Sequence, residues 1–449
     1  MATDSMTKAQ HWPLALIVAL YLAMGGAFAL SVPAWQIPDE PAHYNYIRQL
    51  AQQGQVPVIA PGDYDGEFNM RRIAPPNARL GPEDAARLEA VQYEDHQPPL
   101  YYLLAAPLFA LTGGSLAALR LWSVAIGALI VVFAYLAALE IFPGRIGPAA
   151  SAAALVALLP QHVHMLAGVN NDALAEALLA AAVWQTMRLI RLGEAQPVAE
   201  RGLLAVLCGL CFLTKTTAYY VFPVAGLAVL AITGARGARR LWPAARFGLL
   251  ALLIGLPWWA RNLAVYGGLD VMGLTRHDVV VVGQTTTAEW IARNGLFALG
   301  NPESYLVRGA TFTFQSWWGM FGWLSVSLPG WLYAALLAFT LLSGGLFLTW
   351  WWRKRKGLSP SQARALTALA GLALIAGLGF VWYNTKYVQH QGRYLFPALI
   401  PVALAMALGW QNALSRWPRV ERWFWLALAL ALFVLDGYAL LRVILPAMG

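Results

Sequence analysis

The 449 residues predict an all-α polytopic membrane protein. Three observations carry this. The chain is 59% hydrophobic and only 12% charged, whereas an ordinary globular domain carries about a quarter charged residues. Mean hydropathy is +0.55. Apolar runs long enough to cross a bilayer alternate with short basic loops. The net charge of +9 would suit nucleic acid, but its confinement to those loops follows the positive-inside rule instead. No nucleic-acid partner is therefore expected.

The first apolar run, Trp12 to Val32, is long enough to stay in the membrane as an anchor. The span, about 12–34, starts beside Lys8 and is read as leaving the cytoplasm. A polar stretch, 35–97, follows on the far side, where Asp63, Asp65, Glu67, Arg71, Arg72, Glu83, Asp84 and Arg87 predict short interfacial helices. Pro98 to Leu111 is apolar but only about 14 residues, short for a span. It reads as a re-entrant or juxtamembrane helix. Full spans then fall at about 117–141, 147–168, 172–191, 202–214, 217–234, 246–265, 322–351, 362–383, 395–411 and 422–444, giving about eleven in all.

That count puts Arg145, Arg188, Arg191, Arg201, Arg236, Arg239, Arg240, Arg246, Arg353–Lys356, Arg416, Arg419 and Arg422 on the inner side. A crossing at Pro98–Leu111 would put them all outside, against the positive-inside rule. The expected organisation is a single transmembrane domain over 1–449, with extracytoplasmic loops at 35–116 and 266–321 and no soluble C-terminal domain. The expected location is the plasma (inner) membrane, with a cytoplasmic N-terminus and an extracytoplasmic C-terminus.

The segment just beyond the first span reads Trp35-Gln36-Ile37-Pro38-Asp39-Glu40-Pro41-Ala42-His43. Charged groups next to hydrocarbon are costly, and their retention points to a polar ligand. Capping of a helix that starts at Pro41 accounts for one carboxylate. It does not account for the second, nor for His43 one turn on from Asp39. The topology brings further groups to the same face. Glu94, Asp95 and His96 precede Pro98-Pro99, where they can hold a sugar or assist proton transfer. Asp172 follows Asn170-Asn171, either as a helix cap or as a second acidic group facing Asp39. Lys215, Arg261 and Arg393 sit at similar depth; snorkelling explains any one of them, and three together suit a phosphate clamp. The tryptophans read mostly as an interfacial belt, with Trp317-Trp318-Gly319 as a further candidate sugar surface.

Cofactor use stays unknown from sequence. A divalent metal ion is one option, with Asp39, Asp172 and His164 as candidate ligands, though no fixed ligand spacing supports it. Cys208 and Cys211 form a C-x-x-C inside an apolar helix with no second ligand pair, and read as packing residues.

In chain order, the acidic pair after the first span, His96-Gln97-Pro98-Pro99-Leu100-Tyr101-Tyr102, Asn171-Asp172, Leu213-Thr214-Lys215 and Pro257-Trp258-Trp259-Ala260-Arg261-Asn262 form a recurring pattern. By it the chain resembles the GT-C class of integral membrane glycosyltransferases, which includes protein O-mannosyltransferases and the bacterial transferases that put aminoarabinose on lipid A. Pro38–His43 and Gln391-Gly392-Arg393-Tyr394-Leu395-Phe396-Pro397 look closest to a less characterised bacterial subgroup. The resemblance implies a polyprenyl-phosphate-linked sugar donor and transfer on the outer side, to a lipid, glycan or protein acceptor that it does not name. It implies Asp39 as catalytic base and Asp172 as the second acidic position; Glu40, beside Asp39, is a further catalytic candidate from its place after the first span. It implies donor-phosphate contacts from Lys215, Arg261 and Arg393; His43, Glu94, Asp95, His96 and Tyr394 are further substrate-binding candidates from their place beside these groups in the sequence. One base suffices for an inverting displacement. The rival reading is a transporter or flippase for a lipid-linked or polar substrate, with Asp436 as a coupling carboxylate. Against it, no repeat between halves is visible.

Overall fold

The computed structural model describes residues 11–233 and 237–449. Lys8 and Arg236, both used above to orient the chain, lie outside the described residues. Nearly all regular structure is helical. The long helices are α1 (Trp12–Ser31), α4 (Leu116–Ile141), α7 (Asp172–Leu192), α10 (Leu241–Tyr266), α14 (Gly330–Lys354), α15 (Pro360–Lys386), α16 (Leu399–Leu414) and α17 (Pro418–Tyr438). Between them run α2 (Glu40–Gln53), α3 (Leu100–Thr112), α5 (Ile146–Ala157), α6 (Pro160–Leu166), α8 (Val198–Phe212), α9 (Val221–Ala231), α11 (Leu274–Val280), α12 (Thr287–Asn294) and α13 (Tyr305–Trp318). Two antiparallel two-residue strands pair Met320 with Ser327 and Phe321 with Val326.

Among the described residues, eight helices are long and apolar enough to cross a membrane, or nine if α5 and α6, bent by 60°, form one broken span. Each remaining expected span is also helical, as α8 and as the apolar segment Thr216–Ala231. These two are shorter than the ~20 residues that cross the hydrocarbon unaided, so composition alone does not make them spans.

Local sequence sets the elements that carry the site. Pro41 sits in the first turn of α2, where a missing N–H costs nothing, and Gly54 closes the helix in the left-handed conformation. Pro98-Pro99 start α3, which ends at left-handed Gly113. Both ends of α3 lie at one end of the bundle. The Leu100 N–H bonds the Leu213 carbonyl, and Tyr44, on α2, donates to Gly114 O at 2.7 Å. α4 then runs about 39 Å, from Arg120 against Glu40 to Glu140 against Arg188 and Arg191. At that opposite end Arg145, Arg353 and Lys354 share a cleft with Gln411. The basic loops thus gather at one end of the bundle and the α2–α3 segment at the other.

Alanines of α5 and α7 pack against α1, α4 and α16 to make the core. Small side chains let these backbones approach closely. Cys208 and Cys211 are buried in this packing as free thiols.

Candidate active site

Asp39 caps α2 with a left-handed backbone, φ +66°. For a non-glycine residue this costs on the order of 1–3 kcal/mol and persists only where surroundings hold it. Two partners do so. Arg393 donates to Oδ2 at 2.8 Å and the Tyr93 hydroxyl to Oδ1 at 3.0 Å. Burial raises the Asp39 proton affinity, but the Arg393 guanidinium, His43 and the Tyr93 hydroxyl outweigh it and hold the carboxyl below its ordinary value. Arg393 is delivered by a 3-10 turn, Gly392–Ala398, ahead of α16. Gly392 is required there, because a Cβ would fall 2.3 Å from the Trp317 nitrogen.

A second acid–cation pair stands beside the first. Asp172 opens α7, and Lys215, in the turn after α8, donates to its Oδ1 at 2.6 Å. Both pairs line one cavity of about 240 Å³. Glu94, His96 and Tyr394 line it too, together with Glu176, Asp278 and Lys386. Gln97 donates to Glu94 at 2.9 Å. His96 Nδ1 meets the Tyr93 carbonyl at 3.1 Å, so that nitrogen carries the proton. Burial and the neighbouring His277 push the His96 pKa down to about 3, which keeps the ring neutral. Lys386 pairs with Asp278. Leu179, Phe380 and Trp382 add apolar surface to the lining.

Four expected site residues fall outside this lining. Glu40 is fully buried and accepts from Arg120 at 2.7 and 2.6 Å and from the Trp35 and Val169 N–H groups. Arg120 also donates to the carbonyls of Ala29, Val32 and Pro33. Glu40 therefore closes a buried structural ion pair at the end of α1, and its geometry does not fit a catalytic part. Asp95 accepts from Gln49 at 2.8 Å, away from the cavity, and burial holds its pKa well above the usual range. Arg261 donates to the Val56 and Pro57 carbonyls and lies over the Trp258 ring, which pins the 35–97 segment to α10. His43 packs behind the wall, its Nδ1 2.8 Å from the Tyr102 hydroxyl. Burial lowers its pKa even though Glu94, Asp39 and Asp172 pull the other way.

Trp318 is buried and donates to Thr340, and Trp317 packs on Phe396, so neither forms a sugar surface at the cavity. His164 lies between Phe28 and Phe321, and neither of its nitrogens has a hydrogen-bond partner among the described residues. A metal does not fit the three candidates. Asp39 and Asp172 are each held by a cation, His164 is not on the cavity, and no group of three metal-ligating side chains comes together among the described residues. Asp436 is fully buried, its two oxygens have no hydrogen-bond partner among the described residues, and it does not line the cavity.

Sequence reasoning missed Arg120, Tyr93, Glu176 and the Lys386–Asp278 pair. Arg120 had a signal, as a lone charge inside an apolar run. Glu176 had one too, one turn beyond Asp172 and on the same helix face.

Solved structures share the fold. The lipid A aminoarabinose transferase ArnT of Cupriavidus metallidurans, solved bound to undecaprenyl phosphate, superposes with a TM-score of 0.54 at 14% identity, covering 98% of this chain and 74% of ArnT. The oligosaccharyltransferase of Archaeoglobus fulgidus, tethered to an acceptor peptide, superposes with a TM-score of 0.51 at 15% identity, covering 98% of this chain and 55% of that enzyme. The chain thus spans about half the oligosaccharyltransferase's length. The architecture is the GT-C fold that the motif order suggested. Within it, the chain belongs to the family described as predicted membrane protein (DUF2142), whose profile matches residues 74–402. No curated sequence matches the chain.

Proposed function

We propose that this protein is a membrane glycosyltransferase that moves a hexose or pentose from a polyprenyl-phosphate donor to an acceptor hydroxyl. The observation that carries the reading is the cavity with two adjoining acid–cation pairs, Asp39 with Arg393 and Asp172 with Lys215, in a lining that also holds apolar surface. ArnT, with this fold, was solved bound to undecaprenyl phosphate. The chemistry needs just such groups. Asp39 takes the proton of the attacking hydroxyl as the new C–O bond forms. The bond from the anomeric carbon to the phosphate oxygen breaks, and Arg393 and Lys215 stabilise the lipid phosphate that leaves. One base gives an inverting displacement. The reaction is read as occurring on the outer side of the inner membrane.

The resting geometry adds a coupling. The guanidinium suited to the donor phosphate is the one that holds Asp39. A phosphate on Arg393 competes for its donors and weakens that pair, so Asp39 becomes more basic as the donor arrives. The apolar surface in the lining suits the first isoprene units.

The test is Asp39→Asn, assayed for sugar transfer in membrane vesicles and for undecaprenyl phosphate binding by the purified protein. Transfer should fall by ~100-fold or more, with lipid binding kept. Turnover near that of the wild type would remove Asp39 as base.

A further inference from the structure

The break between α5 and α6 has a chemical consequence at the cavity wall. The Val156 carbonyl would ordinarily accept from residue 160, but that residue is Pro160, which has no N–H. His162 takes the place of the missing donor. Its Nδ1 lies 2.7 Å from Val156 O, and a carbonyl only accepts, so Nδ1 carries a proton. Nε2 is thereby turned to Glu176 Oε2 at 2.8 Å. One proton occupies that contact, whichever atom holds it. The pair is almost wholly enclosed: the His162 side chain is 1% exposed and that of Glu176 13%. The Glu176 exposure is to the cavity, which it lines below Asp172. Oε2 is committed to His162, and Oε1 has no partner among the described residues.

Building on the glycosyltransferase reading, we propose that Glu176, held by His162, is a specificity residue whose Oε1 accepts a hydrogen bond from a hydroxyl of the donor sugar. The geometry favours this over a second catalytic base. Asp39 and Asp172 already flank the cations suited to the phosphate, and Glu176 lies one helical turn further along the wall. An acceptor fixed by a buried partner costs little to order on binding, and a sugar lacking the matching hydroxyl leaves it unpaired.

The experiment uses the full chain in lipid nanodiscs. Affinities are measured for undecaprenyl phosphate and for undecaprenyl-phosphate-linked glucose, mannose and arabinose. The wild type should bind at least one sugar-bearing lipid ~10-fold or more tightly than the bare lipid, as expected for a hydrogen bond to a charged or polarised acceptor. In Glu176→Ala that ratio should fall toward one. Glu176→Gln should keep most of it, because its amide donates to His162 Nε2 and still offers an oxygen to the cavity. A Glu176→Ala protein that keeps the wild-type ratio overturns the proposal, whatever its melting temperature. A wild type that binds both kinds of lipid without preference also overturns it, while leaving the proposed function intact. A wild type that binds none of these lipids overturns both.

Discussion

Breaking the Glu40–Arg120 pair should damage the fold before it damages the chemistry. Glu40→Gln removes the charge that compensates Arg120, and both side chains are at most 4% exposed. Loss of one partner of a buried pair typically costs 3–5 kcal/mol, about, because the other charge stays buried and uncompensated. Arg120 keeps the carbonyls of Ala29, Val32 and Pro33, which favours the lower end, so ~3 kcal/mol is the working figure. Melting shifts run at roughly 2 °C per kcal/mol or somewhat less for long chains. The purified variant should thus melt ~4–6 °C below the wild type, read by tryptophan fluorescence in detergent. Arg120→Met combined with Glu40→Leu should not restore the melting temperature, since it removes the buried charge but leaves the carbonyls of Ala29, Val32 and Pro33 and the Trp35 and Val169 N–H groups unpaired. Folded Glu40→Gln protein should retain undecaprenyl phosphate binding. A variant that melts within 1 °C or so of the wild type yet has lost transfer would return Glu40 to the catalytic set.

The remaining expectations concern the cavity and the orientation of the bundle. Arg393→Ala should weaken undecaprenyl phosphate binding more than Arg393→Lys, because a guanidinium grips two oxygens and an ammonium one; equal affinities across the three proteins would remove Arg393 as the phosphate clamp. Gly392→Ala should lose both melting temperature and lipid binding, since its Cβ would meet backbone at 2.3 Å from Trp317 N and 2.6 Å from Thr313 O and push the Arg393 turn away. Asp39 is held below its ordinary value of about 4. The stability it contributes is therefore present above that value and lost only as pH falls through its lower folded value. Pair-dependent stability should be level from pH 7 to about 5, and loss of the Asp39 contribution near pH 6, judged against Asp39→Asn, would contradict the pairing. Single cysteines at Gly300 and Gly357, in a background lacking Cys208 and Cys211, should label with an impermeant reagent at 300 alone in intact cells. The reverse pattern would put the cavity on the cytoplasmic side.

Much of this arrangement was legible in the sequence because it is written in hydropathy and charge. The runs expected to span are largely helical, except that residues 322–329 of the expected 322–351 span form a turn and a short strand ahead of α14, and the basic loops gather opposite the α2–α3 segment. Asp39, Asp172, Lys215 and Arg393 could be singled out one by one, as charges that hydrocarbon does not tolerate without a reason. Which of them pair was not legible. Asp39 and Arg393 are 354 positions apart, and only the packed bundle chooses between candidate cations. Arg261 shows the limit: it satisfies the same criterion as Arg393, yet its guanidinium is spent on backbone carbonyls of the first loop. Glu40 misled for a related reason. Its neighbour in sequence is a cavity residue, but consecutive residues at a helix start face different ways, and Glu40 turns inward to a charge hidden in α4. The His162–Glu176 contact depended on a proline-induced break whose direction no local pattern specifies.

The central claim is that the Asp39–Arg393 cavity takes a polyprenyl-phosphate-linked sugar. Its most direct test is mass spectrometry of lipids extracted from the purified wild-type protein and from Arg393→Ala, prepared side by side from the same membranes. The wild type should carry polyprenyl phosphate species, some with a sugar attached, and the variant should carry several-fold less. A wild type that carries only bulk phospholipid, or a variant that retains the same polyprenyl phosphate load, would contradict the claim.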